Sequence, residues 1–515
     1  MGRVTVALIV SLCTIPISLM VNRIVPEPYM DEVFHVPQAQ QYCRGDFRTW
    51  DPMITTPPAL YYLSLVHIAP FFPGMWYLKV VSSFSELCSA ATLRSINCVL
   101  AVICGVLVYE ILTQLRPSLD ERKATLQAVV LSLFPLHWFF TFLYYTDVAS
   151  LTMVLAMYLA CLKRRYRFSA LLGAFSIFLR QTNVVWVLLV ACTGAINLAF
   201  SQNSKDNKQL DNGTSAKKFD GLADNKSFPM GPNLRKRNLA SCSSASSQPM
   251  SKASMSQSNH SSGLIDEVQT IILRLWLSKW EVFMSFSPFL LVVVAFVSFV
   301  RWNGSIVLGA KEAHAVSPNF AQMMYFALFS VLAMAPFHTS FSQMAFVCQS
   351  FWKNKRLALL QVLLLSLRDS FLFIFSGANL VNIAHPYLLA DNRHYTFYIW
   401  RKVIRAHWLM KYLLLPLYVY SWFSIFNILG KAQKKIWILA FFLACAGVLI
   451  PAPLVEFRYY TIPFFFLVLH TPASDGRSWL LIGLLYTVVN VFTMTMFLFR
   501  PFRWSHEPGT QRFIW

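Results

Sequence analysis

The chain has 515 residues, of which 56% are hydrophobic and only 13% charged, whereas soluble globular proteins carry roughly 25% charged residues. A string of two or three water-soluble domains is excluded, because so few polar residues could not cover their surface. The net charge of +21 would suit nucleic acid, but cytoplasmic loops of membrane proteins collect Lys and Arg, so the lipid bilayer is the expected partner and no nucleic acid is expected.

The first apolar block, 4–21, follows one basic residue, Arg3. It is long for a secretory signal and no small-residue cleavage site follows it. We expect a retained first helix with Arg3 in the cytoplasm. Further candidate spans lie near 96–112, 124–142, 148–162, 168–180, 184–200, 281–300, 322–340, 357–377, 409–429, 436–452, 459–471 and 478–499. The fold class expected is an all-α polytopic membrane protein with about 12–14 transmembrane helices. Segment 58–74 is apolar but short and bracketed by prolines. A span, a re-entrant piece and an interfacial helix all remain open for it.

If 58–74 does not span, the basic patches 116–123, 163–167, 201–279, 353–356 and 431–435 fall on one side of the membrane. The acid- and histidine-bearing stretches around 27–35, 143–147, 309–320, 384–402 and 456–460 fall on the other. That segregation predicts a chemical, lumenal face and a plain cytosolic one. Three parts follow: an N-terminal transmembrane module over 1–200 with a first lumenal loop 26–95, a cytosolic loop 201–275, and a C-terminal module 276–515 with lumenal loops 301–321 and 378–408. The middle part is rich in Ser, Asn and Lys and nearly free of aromatics. It cannot bury enough apolar surface to offset chain entropy and is expected to be disordered. Its sequons at Asn212, Asn225 and Asn259 should stay bare in the cytosol, while Asn303 should face the lumen. The ten cysteines include no Cys-x-x-Cys pair and no zinc-spaced cluster; Cys43 and Cys88 share a loop and are free to pair, though spacing does not demand it. No phosphate-binding glycine loop and no solenoid repeat is present, so no nucleotide cofactor is signalled.

The stretch "EPYMDEVFH" places Asp31, Glu32 and His35 beside the first span. On a short surface-lying helix both acids reach His35, at i+3 and i+4, and both sit where the helix dipole favours them. A capping Asp and a solvated Glu is the plain alternative, and a metal site would need a second ligand cluster. Arg180 and Arg458 lie at the edges of apolar spans, where an unpaired charge is costly; an internal pair with Glu456 or snorkelling is the alternative for Arg458. "HPYLLADNRHYTFYIWRK" interleaves Asp391, Arg393, His394, Arg401 and Lys402 with aromatic rings. Cations suit phosphate and aromatic faces suit sugars, although an interfacial aromatic belt would also contain Tyr and Trp. "GAKEAH", with Lys311, Glu312 and His314, is a weaker version of the same mixture.

"EPYMDEVFHVPQAQQYC", "WDPMITTPPALYYL", "FLYYTD", "RQTNVVW", "HPYLLADNRHYTFYIWR", "EFRYYTIP" and the closing "QRFIW" resemble the alpha-1,2-glucosyltransferases of the endoplasmic reticulum that complete the lipid-linked oligosaccharide for N-glycosylation. The likeness runs from the first helix to the last residues, the 201–275 loop excepted, and is looser over "LGAKEAHAVSPNFAQ". It implies a type C glycosyltransferase fold in the endoplasmic reticulum membrane with a lumenal active site. It further implies dolichyl-phosphate glucose as donor and a diglucosylated dolichyl-diphosphate oligosaccharide as acceptor, with inversion at the anomeric carbon. Such transfer needs one carboxylate as base and cations where phosphate charge develops, with no cofactor and no metal.

On that reading Asp31 is the base, with Glu32 second. Arg393, His394 and Arg458, then Arg180 and Arg401, meet phosphate. Asp147, Gln181 and Asp391 bind sugar hydroxyls, with His35 and His314 lining the site. Two readings from other classes stand beside it. An ion-coupled secondary transporter would use Asp31, Asp147 and Arg180 as a relay, but it calls for paired broken helices in the two halves, and no convincing pair is found. A non-catalytic assembly subunit would tolerate loss of Asp31 and Glu32.

Overall fold

The computed structural model describes residues 1–69, 88–216, 263–311, 319–353, 355, 391–407, 409–452, 454–472, 475–505 and 509–515. Among them the chain is helical with no β-strand, only two isolated bridges. Five helices are long and apolar enough to cross a membrane and six shorter ones are apolar, which makes this an all-α polytopic membrane protein. The candidate span 357–377 and the site candidates Glu312 and His314 lie outside the described residues.

The longer helices are α1 (Gly2–Ile24), α2 (Glu32–Cys43), α3 (Ala59–Ile68), α4 (Ala90–Leu115), α5 (Glu121–Ser132), α6 (Thr146–Leu162), α7 (Tyr166–Leu179) and α8 (Val184–Ala216). After them come α9 (Leu264–Leu277), α10 (Lys279–Asn303), α11 (Ala321–Ala333), α12 (Phe341–Lys353), α13 (Leu415–Gly430), α14 (Lys435–Leu449), α15 (Thr461–His470) and α16 (Gly476–Phe499). They fall into two compact units, 1–196 with 278–515, and 197–277. Both transmembrane modules expected from the sequence share the first unit, which holds every site residue discussed below. In the second unit α8 continues as helix to Ala216, into the range expected to be disordered; residues 217–262 lie outside the described part.

Two expected spans are broken by proline. The stretch 124–142 stops at Ser132, and Phe134 is extended (φ −52°, ψ 123°) before a short helix, Pro135–Phe140. Pro135 supplies no N–H and disfavours helical backbone at the residue before it. In the same way α11 ends at Ala333 and a four-residue turn, Ala335–His338, carries Pro336. In segment 58–74, α3 has ten residues, about 15 Å at 1.5 Å per residue, too short to cross the bilayer alone.

The first unit is built on α1, α4, α5 and α6, which pack side by side. Gly105 of α4 permits one close approach: a methyl there would meet Ser132, Val6 and Val10. One apolar core lies where the ends of α1 and α16 meet α2, α3 and the 138–149 segment. This core is the floor of the loops that carry the acids. A disulfide, Cys43–Cys88, ties the end of α2 to the start of α4. Residues 308–310 run against 52–55, with Leu308 N–H donating to the Thr55 carbonyl and Ala310 N–H to that of Pro52. Gly309 is required there, because a side chain would strike the Pro52 and Ile54 carbonyl oxygens.

Candidate active site

Asp31 and Glu32 are neighbours in sequence and opposites in structure. Met30, in the left-handed region (φ 57°), turns the chain so that Asp31 precedes α2 and Glu32 begins it. Glu32 is 0% exposed and faces Arg94 of α4, itself 1% exposed. The guanidinium grips both carboxylate oxygens, Nε to Oε1 at 2.8 Å and Nη2 to Oε2 at 2.6 Å. The same two oxygens accept the N–H groups of Tyr144 (2.5 Å) and Tyr29 (3.1 Å). The remaining Arg94 donors reach Asn22 and the carbonyls of Val25 and Glu27. Glu32, the second candidate for the base in the sequence, is thus a buried anchor whose two oxygens each accept two hydrogen bonds. Sequence reasoning passed over Arg94, although an Arg at the fifth position of an apolar helix was signal enough that a buried acid awaited it.

Asp31 points the other way, with its side chain 41% exposed. Its Oδ2 accepts a hydrogen bond from Arg458 Nη1 at 2.7 Å, and its N–H donates to the Tyr145 hydroxyl at 3.1 Å. Arg458, 427 residues from Asp31 in the chain, also donates through Nε to Glu456, so one guanidinium bridges two acids from distant segments. The pair with Glu456 weighed at the sequence level exists together with the Asp31 contact. Its carbon lies over the rings of Tyr145 (5.8 Å) and Tyr459 (5.9 Å). Burial by itself would raise the Asp31 carboxyl; the charge and hydrogen bond of Arg458 outweigh it and hold the group below the ordinary value. His35, hydrogen-bonded through Nδ1 to the Tyr61 hydroxyl at 2.8 Å, is held down by burial against the upward pull of Asp31, which favours neutral imidazole.

A second pair lies alongside. Arg180, just after α7, donates to Asp147 Oδ1 in the first turn of α6 at 2.6 Å, and its carbon lies 5.6 Å from the centre of the Tyr459 ring. Asp147 is 8% exposed, and its second oxygen, Oδ2, is buried with no hydrogen-bond partner. That atom is an acceptor with its desolvation already incurred, which a ligand hydroxyl would relieve. Tyr459 links the two arginines. Gln181 reaches the Thr55 carbonyl at 2.7 Å and joins this corner to the 52–55 segment.

The 391–402 stretch divides. Arg393 forks onto Asp391 (Nε–Oδ1 2.9 Å, Nη2–Oδ2 2.8 Å), donates to Gln511 at 3.0 Å and stacks 4.8 Å from the Trp504 ring. These ties commit it to holding the loop. The Asp391 carboxyl is lowered: hydrogen bonds from Arg393 and the nearby His394 outweigh the burial that would raise it. His394 sits with Nδ1 3.0 Å from the Trp515 carbonyl oxygen and Nε2 3.8 Å from Asp391 Oδ2. Arg401 lies apart, exposed on a π-helical turn, Trp400–Ile404, with its guanidinium over Phe397. Lys311 turns back onto Asn303, 2.7 Å from its carbonyl oxygen.

The structure therefore gathers Asp31, His35, Arg458 and His394 around one centre and Asp147, Arg180 and Gln181 beside it, leaves Arg401 outside, and sends Glu32 below. Tyr145, Tyr459 and the 511–515 segment join the site unannounced by sequence chemistry. Among the described residues no three His, Cys, Asp or Glu side chains converge as a metal would require, and each carboxylate of the site has an arginine partner.

The model of the DIE2/ALG10 family matches residues 25–469. A protein of Arabidopsis thaliana is 55% identical over the whole of both chains, and one of Mus musculus is 34% identical over 98% of this chain and 97% of its own. One of Drosophila melanogaster is 29% identical over 98% and 97%. All three are named Dol-P-Glc:Glc(2)Man(9)GlcNAc(2)-PP-Dol alpha-1,2-glucosyltransferase. No solved structure matches significantly. The chain belongs to the DIE2/ALG10 family.

Proposed function

We propose that this member of the family is an alpha-1,2-glucosyltransferase. It moves glucose from dolichyl-phosphate glucose to the diglucosylated dolichyl-diphosphate oligosaccharide and so adds the third, terminal glucose. The curated relatives carry that name over their full lengths. The observation that supports it is Asp31 Oδ2 at 2.7 Å from Arg458 Nη1: a half-exposed carboxylate and a cation in direct contact at one centre.

In the proposed step the acceptor 2-hydroxyl attacks the anomeric carbon from the face opposite the phosphate. The new C–O bond forms as the bond to phosphate breaks, the electron pair leaves on the phosphate oxygen, and the hydroxyl proton passes to Asp31. A β-linked donor gives an α-linked product by that single inversion. Arg458 holds Asp31 in its ionised form, at some cost in basicity, and proton transfer to a positioned carboxylate contributes about 10²–10⁴-fold. Arg458, with His394 nearby and Arg180 beyond Tyr459, stabilises the charge growing on phosphate. The free Asp147 oxygen and Gln181 face the sugars. The Cys43–Cys88 disulfide suits an oxidising compartment, which supports a lumenal site in the endoplasmic reticulum membrane.

The test is purified full-length protein in detergent with both substrates. A gain of one hexose on the acceptor, linked alpha-1,2, is expected. A folded, monodisperse sample that transfers nothing refutes the proposal.

A further inference from the structure

The closing motif "QRFIW" has no chemistry of its own in the proposed step, yet 511–515 touches three of the site's loops, those of Tyr29, His394 and Phe457. Gln511 pairs with Phe502 through two backbone hydrogen bonds, of 2.9 and 2.7 Å. Arg512 N–H donates to the Tyr29 hydroxyl at 2.8 Å, and that hydroxyl donates to the Arg512 carbonyl at 2.7 Å. The Arg512 guanidinium caps α16 through the carbonyls of Phe497 and Leu498, where helix ends leave acceptors unpaired. Ile514 N–H donates to the Arg393 carbonyl at 2.9 Å and its own carbonyl accepts from Tyr395 at 3.2 Å. The Trp515 ring packs 5.1 Å from Tyr395 and 6.1 Å from Phe457. Tyr29 is two residues from Asp31, Phe457 adjoins Arg458, and 393–395 contains His394.

We infer that 511–515 is a strap that registers the three site loops against one another and so sets the distance between Asp31 and Arg458. The alternative ties are insufficient. Glu32 and Arg94 fix the first loop to the helices beneath it, and Glu456 holds Arg458 only to its own loop. Between the two loops stand the part-buried Asp31–Arg458 pair and Tyr145, whose hydroxyl accepts from Asp31 N–H and whose ring lies under Arg458; long side chains in such contacts fix geometry less firmly than paired backbone. The strap adds directional backbone hydrogen bonds and a buried Ile514, 1% exposed. Its residues are positioning residues: none touches the reacting atoms. Misplacement of reacting groups by about 1 Å costs on the order of 10²-fold in rate.

The inference rests on Asp31 and Arg458 being the reaction centre. The experiment uses the full chain in detergent with both substrates. Tyr29→Phe keeps the ring and removes both hydrogen bonds to Arg512; Ile514→Pro removes the donor to Arg393. Each should lower kcat about tenfold or more with KM for either substrate within about threefold; Tm should stay within about 3 °C of the parent for Tyr29→Phe and fall further for Ile514→Pro, which also empties a buried site. Val491→Ala, on the exposed face of α16, should change none of these. Unchanged kcat in both strap variants overturns the inference, as does a kcat loss that merely tracks a fall in Tm. An active Asp31→Asn enzyme would sink the underlying reading instead, whereas an inactive Asp31→Asn with fully active strap variants sinks only the strap.

Discussion

Replacing each of two adjacent carboxylates by its amide should damage this protein in opposite ways. Asp31→Asn keeps the volume and removes the charge of a side chain that is 41% exposed and whose partner Arg458 retains Glu456. Exposed pairs are worth about 0–1 kcal/mol, so stability should hardly change. Activity should fall about 10²–10⁴-fold, the usual worth of a general base. Glu32→Gln removes charge at a site 0% exposed and leaves Arg94 buried with no counter-ion. The amide also turns one acceptor into a donor facing both a guanidinium N–H and the backbone N–H of Tyr144 or Tyr29, whichever way it is flipped. Breaking a buried pair from one side costs about 3–5 kcal/mol. Glu32→Leu with Arg94→Leu together should regain only part of the loss, because no charge is then stranded but the N–H groups of Tyr29 and Tyr144 and the carbonyls of Val25 and Glu27 lose their partners. Thermal unfolding in detergent gives the first readout and hexose transfer the second. If Glu32→Gln is as stable as the parent but inactive, while Asp31→Asn turns over normally, the assignment of base and anchor is reversed and the reasoning fails.

Lowering the pH should protonate Asp31 only below the ordinary aspartate value of about 3.9, since Arg458 lowers its pKa in the folded protein. The stability this pair contributes is fully present above the unfolded-state value and is lost as pH falls through the folded one; Arg458→Gln should accordingly move the acid limb of kcat to higher pH, and a limb that stays put would exclude Asp31 as the group observed. Asp147→Asn should raise KM for one of the substrates, since a hydrogen bond to a charged group is worth about 1.5–3 kcal/mol, roughly ten- to a hundredfold; steady-state titration of each substrate identifies which, and two unchanged KM values would leave the free oxygen without a ligand. Cys43→Ser should destabilise by about 2–4 kcal/mol, seen as a lower Tm that reductant no longer changes. Gly309→Ala should lower Tm as well, by prising 308–310 from 52–55, whereas Gly430→Ala, with open space around it, should not.

The sequence by itself determined the solvent and the class of secondary structure. Apolar blocks such as 478–499 can lie only in lipid, and backbone without water must satisfy itself as helix, so α1, α4, α10 and α16 were legible from composition and length. It also yielded the chemical inventory, with Asp31, Asp147, Arg180 and Arg458 standing out because ionised groups next to hydrocarbon are costly. Where a helix stops within an apolar run was less legible: Pro135 and Pro336 cut two expected spans, since a missing donor outweighs hydropathy. Which of two adjacent acids faces substrate was not legible at all. Asp31 and Glu32 differ by one position, and the choice was made by Arg94, 62 residues away, and by the left-handed turn at Met30. Nor did spacing show that Arg458 would meet Asp31, or that 511–515 would return to Tyr29 across 483 residues. Those contacts arise from packing, which depends on the partner a side chain finds in three dimensions; local pattern records only the cost of finding none.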